Sequence, residues 1–306
     1  MASGAFRSGL IRIGTCGWSY PAGRGTWNGI FYPSPRPRGF DELAYYAEHF
    51  DTVEVNSTFY RMPEAPQVAR WVERTPADFV FSVKLFQKFT HPDMYLAKAG
   101  ATDWEPSRVD IDLFRAGIAP LADAGRLGAL MMQFPPSFHE SDDARAYLDW
   151  LLEAFAEYPT AVELRHKSWS DRAADLTALL DAHGAAWVLI DEPKFASSIV
   201  QPVTSPPGRP GPRLPLTYLR LHGRNAAQWW EHDAAEDRYD YLYSPAELEP
   251  FAERAKADAA AGRKVYLYLN NHFSAKAVAN AAVLQKQTGR EPSGDYNLTF
   301  RMTYEV

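Results

Sequence analysis

The sequence has little cysteine, no long apolar run and no excess of positive charge. Its one cysteine among 306 residues, Cys16, cannot form an internal disulfide bond or a cysteine-based zinc site. Such a chain is typical of the reducing cytoplasm, where we expect this protein to reside. No apolar run reaches the roughly 18 residues of a membrane span, so we predict no membrane partner. The formal net charge of −6 excludes a general attraction to nucleic acid or anionic lipid.

Several catalytic motifs are also missing. The sequence contains no G-x-S-x-G nucleophile elbow, no P-loop and no G-x-G-x-x-G fingerprint, so the corresponding hydrolase and nucleotide-binding sites are not expected. The content of 46% hydrophobic and 23% charged residues is ordinary for a globular protein. This composition and the length of the chain predict a single domain over residues 10–306. Residues 1–9 are mostly small and polar, and we predict that they form a disordered tail.

Short apolar runs with polar C-terminal tips recur along the chain. They cover residues 10–14, 52–56, 79–84, 129–134, 161–165, 187–191, 218–222 and 265–270. All but one are followed by an amphipathic, helix-like stretch. Strand–helix alternation repeated in this way predicts an α/β fold of the TIM (β/α)8 barrel type. In such barrels the functional residues collect at the carboxyl ends of the strands.

The sixth strand–helix unit departs from this pattern because it is rich in proline. Proline removes a backbone donor and clashes inside a helix, and no helical period survives between the sixth and seventh runs. We predict that helix six is degenerate and that residues 193–215 form a proline-rich loop insertion within the barrel domain.

Strand geometry predicts which side chains point into the barrel. Residues two apart on a strand share a face, so if Val53 and Val55 face the helices, Glu54 and Asn56 point inwards. The same rule applied to the other strand ends predicts a polar inner layer. This layer comprises Glu54, Asn56, Lys84, Gln133, Glu163, Arg165, Asp191, Arg220, His222 and Asn270.

Three acids and three bases of this layer converge on one small space. One interpretation is a self-neutralising ion-pair cluster, because buried charges must pair. The other is a preorganised site for an anionic ligand, in which Arg165 and Arg220 offer planar donor forks and Lys84 adds a point charge. A desolvated Lys84 is also able to form a Schiff base. We expect its carboxylate neighbours to keep it charged instead.

A divalent metal ion is an alternative occupant of the polar layer. Glu54, His91, Glu163, Asp191 and His222 offer oxygen and nitrogen ligands. No H-x-H or H-x-x-x-H spacing is present, however, and the three bases would repel the ion. We therefore assign no metal ligand and predict no firm cofactor, and a divalent metal stays a hypothesis.

Aromatic and polar loop residues complete the candidate ligand-binding set. Trp18 and Tyr60 belong to a group of loop aromatics whose flat faces suit a sugar or a nucleobase. His166 and Asn271 follow the fifth and eighth runs and add polar contacts. Together with nearby lysines and arginines, the aromatics also allow a local nucleic-acid groove despite the acidic total charge.

Short motifs near the strand ends follow one another in a specific order. They are GTCGW at 14–18, VEVN at 53–56, TFY at 58–60, FSVK at 81–84, QFPP at 133–136, VELRH at 162–166 and RLHG at 220–223. From about residue 10 to 288 the chain resembles the YecE-like family, also called domain of unknown function 72. The resemblance implies a TIM barrel and no particular reaction. A likeness of this family to endonuclease IV-type barrels raises the nucleic-acid hypothesis.

The hypothesis that follows is an enzyme, a hydrolase or lyase, that acts on a phosphate- or carboxylate-bearing small molecule at the barrel mouth. Glu54 or Glu163 would act as general acid or base, and Lys84 with the two arginines would stabilise developing negative charge. His91 and His222 are candidates for proton transfer. A metal-assisted phosphodiesterase acting on nucleic acid and a non-catalytic ligand-binding barrel are the alternatives.

Overall fold

The structure is a computed structural model that describes residues 9–100, 104–201, 203 and 216–292. The predicted tail, apart from Gly9, lies outside the described residues. So do residues 202 and 204–215 of the predicted insertion, and residues 293–306 at the end of the predicted domain. None of the helices in the described ranges combines the length and the hydrophobicity that a membrane-spanning helix requires.

Nine strands in the described residues form two parallel sheets. The strands are β1 (Ile11–Thr15), β2 (Thr52–Val55), β3 (Val80–Lys84), β4 (Leu127–Gln133), β5 (Thr160–Glu163), β6 (Ala186–Trp187), β7 (Leu189–Asp191), β8 (Leu216–Leu221) and β9 (Lys264–Leu269). One sheet has the order β1-β9-β8-β7 and the other β2-β3-β4-β5-β6. Each predicted run overlaps a strand, and the sixth run overlaps two.

The two sheets are linked at both pairs of edge strands. Val188 alone separates β6 from β7, and its N–H donates to the carbonyl oxygen of Val162 at 2.9 Å. At the other pair of edges, Cys16 forms an isolated parallel bridge with Glu54. The Gly17 N–H donates to the carbonyl oxygen of Glu54 at 2.8 Å. The edges of the sheets are therefore connected by the chain itself at Val188 and by an isolated hydrogen bond beside Glu54.

Helices follow most of the strands, as the alternation predicts. They are α1 (Glu42–His49), α2 (Ser57–Tyr60), α3 (Ala65–Glu73), α4 (Pro92–Ala99), α5 (Arg108–Asp123), α6 (Asp142–Ala154), α7 (Lys167–Asp171), α8 (Ala173–His183), α9 (Pro245–Ala260) and α10 (Lys276–Gln287). Several helices begin at an N-cap residue whose side chain accepts a hydrogen bond from a backbone N–H group of the first turn. Ser107 before α5 and Ser244 before α9 are examples. The short helices α2, α4 and α7 were not predicted.

The described part of the proline-rich segment contains no helix. Residues 192–201 instead return to the end of β5. The Lys167 N–H donates to the carbonyl oxygen of Ser197 at 2.8 Å, and the Ile199 N–H donates to that of Arg165 at 2.8 Å. The expectation of a degenerate sixth helix agrees with these residues.

Tyrosines from two strands fill the interior beneath the predicted polar layer. The Tyr268 hydroxyl lies 2.6 Å from the Thr52 hydroxyl and donates to the Ser82 hydroxyl at 3.0 Å. The Tyr218 hydroxyl donates to Oε2 of Glu54 at 2.7 Å. All five side chains are buried. These contacts across the interior confirm the inward register predicted for β2, β3, β8 and β9.

The register predicted for the sixth run is wrong. Ile190 is the strand partner of Arg220, so these two side chains share the interior face and Asp191 points the other way. The Asp191 carboxylate accepts hydrogen bonds from Arg224 at 2.8 Å and from Tyr243 at 2.7 Å. The run is apolar on both faces, so its pattern carries no information about register.

Candidate functional site

A cavity of about 450 Å³ opens at the carboxyl ends of the strands. Loops after strands of both sheets and the segment before α9 form its wall, which is where parallel βα units place functional residues. The lining residues are Cys16, Gly17, Trp18, Ser19, Tyr20, Asn56, Ser57, Tyr60, Lys84, Gln133, Arg165, Arg220, Ala235, Glu236, Tyr239, Asn270 and His272.

A buried arginine between two buried glutamates forms the floor of this cavity. Arg220 donates from Nη1 to Glu163 at 2.5 Å and from Nη2 to Glu54 at 2.8 Å. Burial raises the pKa of Glu163, but Arg220 and Arg165 outweigh burial and hold that pKa well below its ordinary value. The ion-pair cluster considered from the sequence is therefore present at the floor.

The second arginine of the cavity is also bound to carboxylates. Arg165 donates from Nε and Nη2 to one oxygen of Glu163 at 2.9 and 2.7 Å, and its Nη1 lies 3.4 Å from Glu192. Its side chain is nevertheless 15% exposed, against 2% for Arg220. The donor forks expected to be free for a ligand thus bind protein carboxylates, and Arg165 has the more exposed side chain of the two.

Lys84 differs from both arginines in its neighbours. Its Nζ donates to Oε1 of Gln133 at 2.6 Å and lies 3.9 Å from the ring centroid of Phe59. Within the described residues it forms no salt bridge with a carboxylate. Burial lowers the pKa of Lys84 to about 7, and Arg220 acts in the same direction. Glu163 and Glu54 act through their charges to raise this pKa, as expected of carboxylate neighbours, but neither contacts Lys84 directly.

The two histidines predicted for proton transfer lie behind the cavity wall. His91 lies 3.3 Å from Nε2 of Gln133, and Nδ1 of His222 lies 2.9 Å from Nδ2 of Asn270. Burial lowers the pKa of each imidazole to about 3, so both are neutral at physiological pH. They contact lining residues and do not themselves line the cavity, which suits a positioning role.

Most of the predicted site residues lie at this cavity. Those that line it are Trp18, Asn56, Tyr60, Lys84, Gln133, Arg165, Arg220 and Asn270. Glu54 and Glu163 lie directly beneath, bound to Arg220. The strand register brings these side chains together, because each follows or ends a strand whose inward face is clear from its pattern.

Three predicted site residues are held away from the cavity. Asp191 lies on the outward face of β7, as described above. Asn271 is fully buried and donates to Oδ1 of Asn280 at 2.7 Å. His166 stacks on His139 with 3.8 Å between the ring centroids and precedes α7 as its N-cap residue. These three residues contact other protein side chains and do not line the cavity.

Several lining residues are not among the predicted site residues, although Tyr20 belongs to the group of loop aromatics. Tyr20 stacks on His272 with 4.5 Å between the ring centroids, and Tyr239 lies 4.9 Å from the same ring. Tyr239 and Glu236 belong to a short 3-10 helix before α9, far from any strand end, so strand periodicity does not locate them. His272 lies just after the end of β9, and this position is the feature of the sequence that could have predicted it as a lining residue.

Cys16 also lines the cavity, close to the arginine of the floor. Nη2 of Arg220 lies 3.7 Å from Sγ of Cys16. Burial, assisted by Glu54, raises the pKa of the Cys16 thiol well above its ordinary value. The thiol is therefore protonated at neutral pH, and the arrangement does not activate it as a nucleophile.

The candidate metal ligands do not fit a metal ion. In the parts of the chain that the structure describes, no three His, Cys, Asp or Glu side chains are grouped so as to hold one. Glu54 and Glu163 instead accept hydrogen bonds from Arg220, and Asp191 accepts them from Arg224. A metal-assisted mechanism therefore has no ligand set among these residues.

Sequence comparison connects this chain with known proteins. Residues 12–299 match the family described as Protein of unknown function DUF72. UPF0759 protein YunF of Bacillus subtilis (strain 168) is 27% identical over 291 residues, which span 93% of this chain and 97% of YunF. UPF0759 protein YecE of Escherichia coli (strain K12) is 28% identical over 185 residues, or 60% of this chain and 59% of YecE.

Solved structures of similar sequence share the fold. A DUF72 family protein from Thermotoga maritima MSB8 superposes with a TM-score of 0.73 at 31% identity, over 92% of this chain and 99% of that protein. A DUF72 family protein from Enterococcus faecalis V583 superposes with a TM-score of 0.76 at 25% identity, over 94% of this chain and 98% of that protein. The chain belongs to the DUF72 family, as its YecE-like motifs predicted.

Proposed function

We propose that this protein is an enzyme that acts on a small anionic molecule held in the cavity at the strand ends. Lys84 carries the proposal, because it is a partly buried lysine that lines the cavity without a carboxylate partner among the described residues. An incoming anion would supply the missing counter-charge and stabilise the ammonium form. Arg165 adds a second, partly exposed cationic side chain in the same wall.

We also infer that the two sheets close into one (β/α)8 barrel around this cavity. Val188 alone joins β6 to β7 along the chain and donates its N–H to Val162 of β5, and the bridge between Cys16 and Glu54 links the end of β1 to β2. Each edge strand thus has a neighbour, which is what closure requires. Closure would arrange the strand ends in one ring and account for a cavity lined from both sheets.

The proposed roles follow from the charges around each group. Glu54 and Glu163 hold Arg220 at the floor, and this supports a positioning role for all three. Lys84, with a pKa near 7, is then the better general acid or base, because an acid–base group works best when its pKa lies near the operating pH. Such chemistry is typical of hydrolases and lyases. A cytoplasmic location, inferred from the single cysteine, belongs to the same proposal.

Anion-dependent stabilisation tests the binding part of this proposal. Thermal unfolding is measured with inorganic phosphate or citrate for the wild type, Lys84→Met and Lys88→Met. Lys88 is the control, since its Nζ lies 2.9 Å from Asp110. An anion at about ten times its Kd adds about 1.4 kcal/mol and raises Tm by roughly 2 °C.

We expect this rise in the wild type and in Lys88→Met, and its loss in Lys84→Met. No rise with either anion, or an equal rise in all three proteins, would overturn the proposal. A single-stranded oligonucleotide tested in the same way addresses the nucleic-acid alternative. Stabilisation by the oligonucleotide alone would favour that ligand class instead.

Turnover separates an enzyme from a non-catalytic binding protein. The wild type is incubated with a mixture of phosphorylated and carboxylated metabolites, and the mixture is followed by nuclear magnetic resonance. We expect at least one compound to be converted, at a rate that falls about 100-fold or more in Lys84→Met. Anion binding without any conversion would support the ligand-binding alternative and contradict the enzyme.

A further inference from the structure

Two lysines near the end of β3 have different polar partners. Nζ of Lys88 lies 2.9 Å from an oxygen of Asp110. Nζ of Lys84 lies over the ring of Phe59 and donates to the neutral amide of Gln133. A carboxylate holds the proton on an amine, whereas an amide oxygen accepts a hydrogen from an ammonium or a neutral amine alike.

The surroundings of Lys84 disfavour an additional positive charge. Burial and the nearby Arg220 lower the pKa of Lys84 to about 7. At neutral pH a substantial fraction of this side chain is therefore the neutral amine, which is the nucleophilic form. Lys84 lines the cavity, and so does Gln133, which accepts the hydrogen bond from its Nζ, so a small molecule in the cavity lies next to this lysine.

We propose that Lys84 forms a Schiff base with the carbonyl group of an aldehyde or keto compound that also bears a carboxylate or phosphate. This inference rests on the proposed function and names the substrate class of the same site. Arg165 lines the same cavity with a partly exposed, positively charged side chain, which suits the anionic group of such a compound.

The step needs no oxidant or reductant. The lone pair of Lys84 Nζ forms a bond to the carbonyl carbon, and a proton moves from nitrogen to oxygen to give a carbinolamine. The carbinolamine hydroxyl takes a proton from solvent, the C–O bond breaks and water leaves. The protonated imine that remains withdraws electrons from an adjacent C–H or C–C bond, and water hydrolyses it at the end.

Reductive trapping tests this inference on the full-length protein. The wild type is incubated with pyruvate and sodium cyanoborohydride, which delivers hydride to an imine and converts it to a stable secondary amine. Peptide mapping by mass spectrometry then locates the carboxyethyl adduct. We expect at least about tenfold more adduct on Lys84 than on Lys88 in the same molecule, because the neutral amine is the form that attacks.

Variants and second probes distinguish this inference from the proposed function. The adduct should vanish in Lys84→Met and persist in Lys88→Met, and mapping of the wild type does not depend on either variant. Stabilisation by inorganic phosphate without trapping of pyruvate would overturn the Schiff base and leave the anion site intact. Equal trapping of pyruvate and its neutral methyl ester, which carries the same keto group, would contradict the anionic substrate class. An adduct spread evenly over surface lysines would overturn the inference.

Discussion

Arg220 and Lys84 face the same cavity with different electrostatic surroundings. Arg220 lies between two buried glutamates, and this pairing compensates the loss of hydration. Lys84 has an amide and an aromatic ring as neighbours, so its loss of hydration is compensated less. Arg220 therefore stays charged at the floor of the cavity. Lys84 is the group whose protonation should change when an anion binds or the pH rises.

The stability of the protein should reflect the protonation of Lys84. Its pKa is lowered from 10.5 to about 7 in the folded protein. Between these two values the unfolded chain binds a proton that the folded protein has released, so the free energy of unfolding rises with pH. We expect this contribution to add about 2 kcal/mol between pH 7 and pH 9. Urea denaturation at both pH values measures it.

Lys84→Met isolates this contribution from other titrating groups. Glu54, Glu163, Arg165 and Arg220 act on Lys84 through their charges, and they are unchanged in the variant. The variant should lack the rise of the wild type while sharing every other pH effect. An identical change with pH in both proteins would show that Lys84 keeps its proton when folded.

At the scale of elements, strand periodicity located the inner layer wherever one face of a strand is polar. The inward direction of the Glu54 and Arg220 side chains was predicted correctly, because apolar neighbours on the opposite face define the register. The register predicted for the sixth run was wrong, because apolar residues on both faces of β6 and β7 leave two registers equally compatible with the sequence. Residues from the 3-10 helix before α9, such as Tyr239, lie far beyond the end of β8 in the chain, so strand periodicity did not predict them.

β1 and β2 approach each other closely at Gly14. A Cβ atom at this position would overlap the carbonyl oxygen of Thr52. Gly14→Ala should therefore lower the free energy of unfolding by about 2 to 3 kcal/mol, because the strands must move apart. Chemical denaturation measures the loss.

Gly9→Ala is the matched control just before β1. A Cβ there meets only the backbone of Ile11, at 3.9 Å or more. We expect its stability to lie within about 0.5 kcal/mol of the wild type. Equal stability of the two variants would mean that the contact between β1 and β2 is looser than the structure shows.

At the scale of the whole molecule, the two sheets are joined by few hydrogen bonds. In a closed barrel the amide hydrogens of Gly17 and Val188 belong to the same cooperative unit as the centre of β8. Hydrogen exchange should then protect both amides to within about tenfold of Leu219. Exchange of both near the rate of an unprotected amide would show that the sheets open separately.

The sequence by itself determined the order of strands and helices, the family and the strand-end position of the polar residues. These are local properties, set by periodicity, capping residues and short motifs. Only the tertiary structure decided which charges meet. Arg220 and Glu54 are 166 positions apart, and Lys84 and Gln133 are 49 apart. Pairing at such separations depends on how the strand ends come together in space, and that pairing gives Arg220 two glutamates as partners and Lys84 an amide.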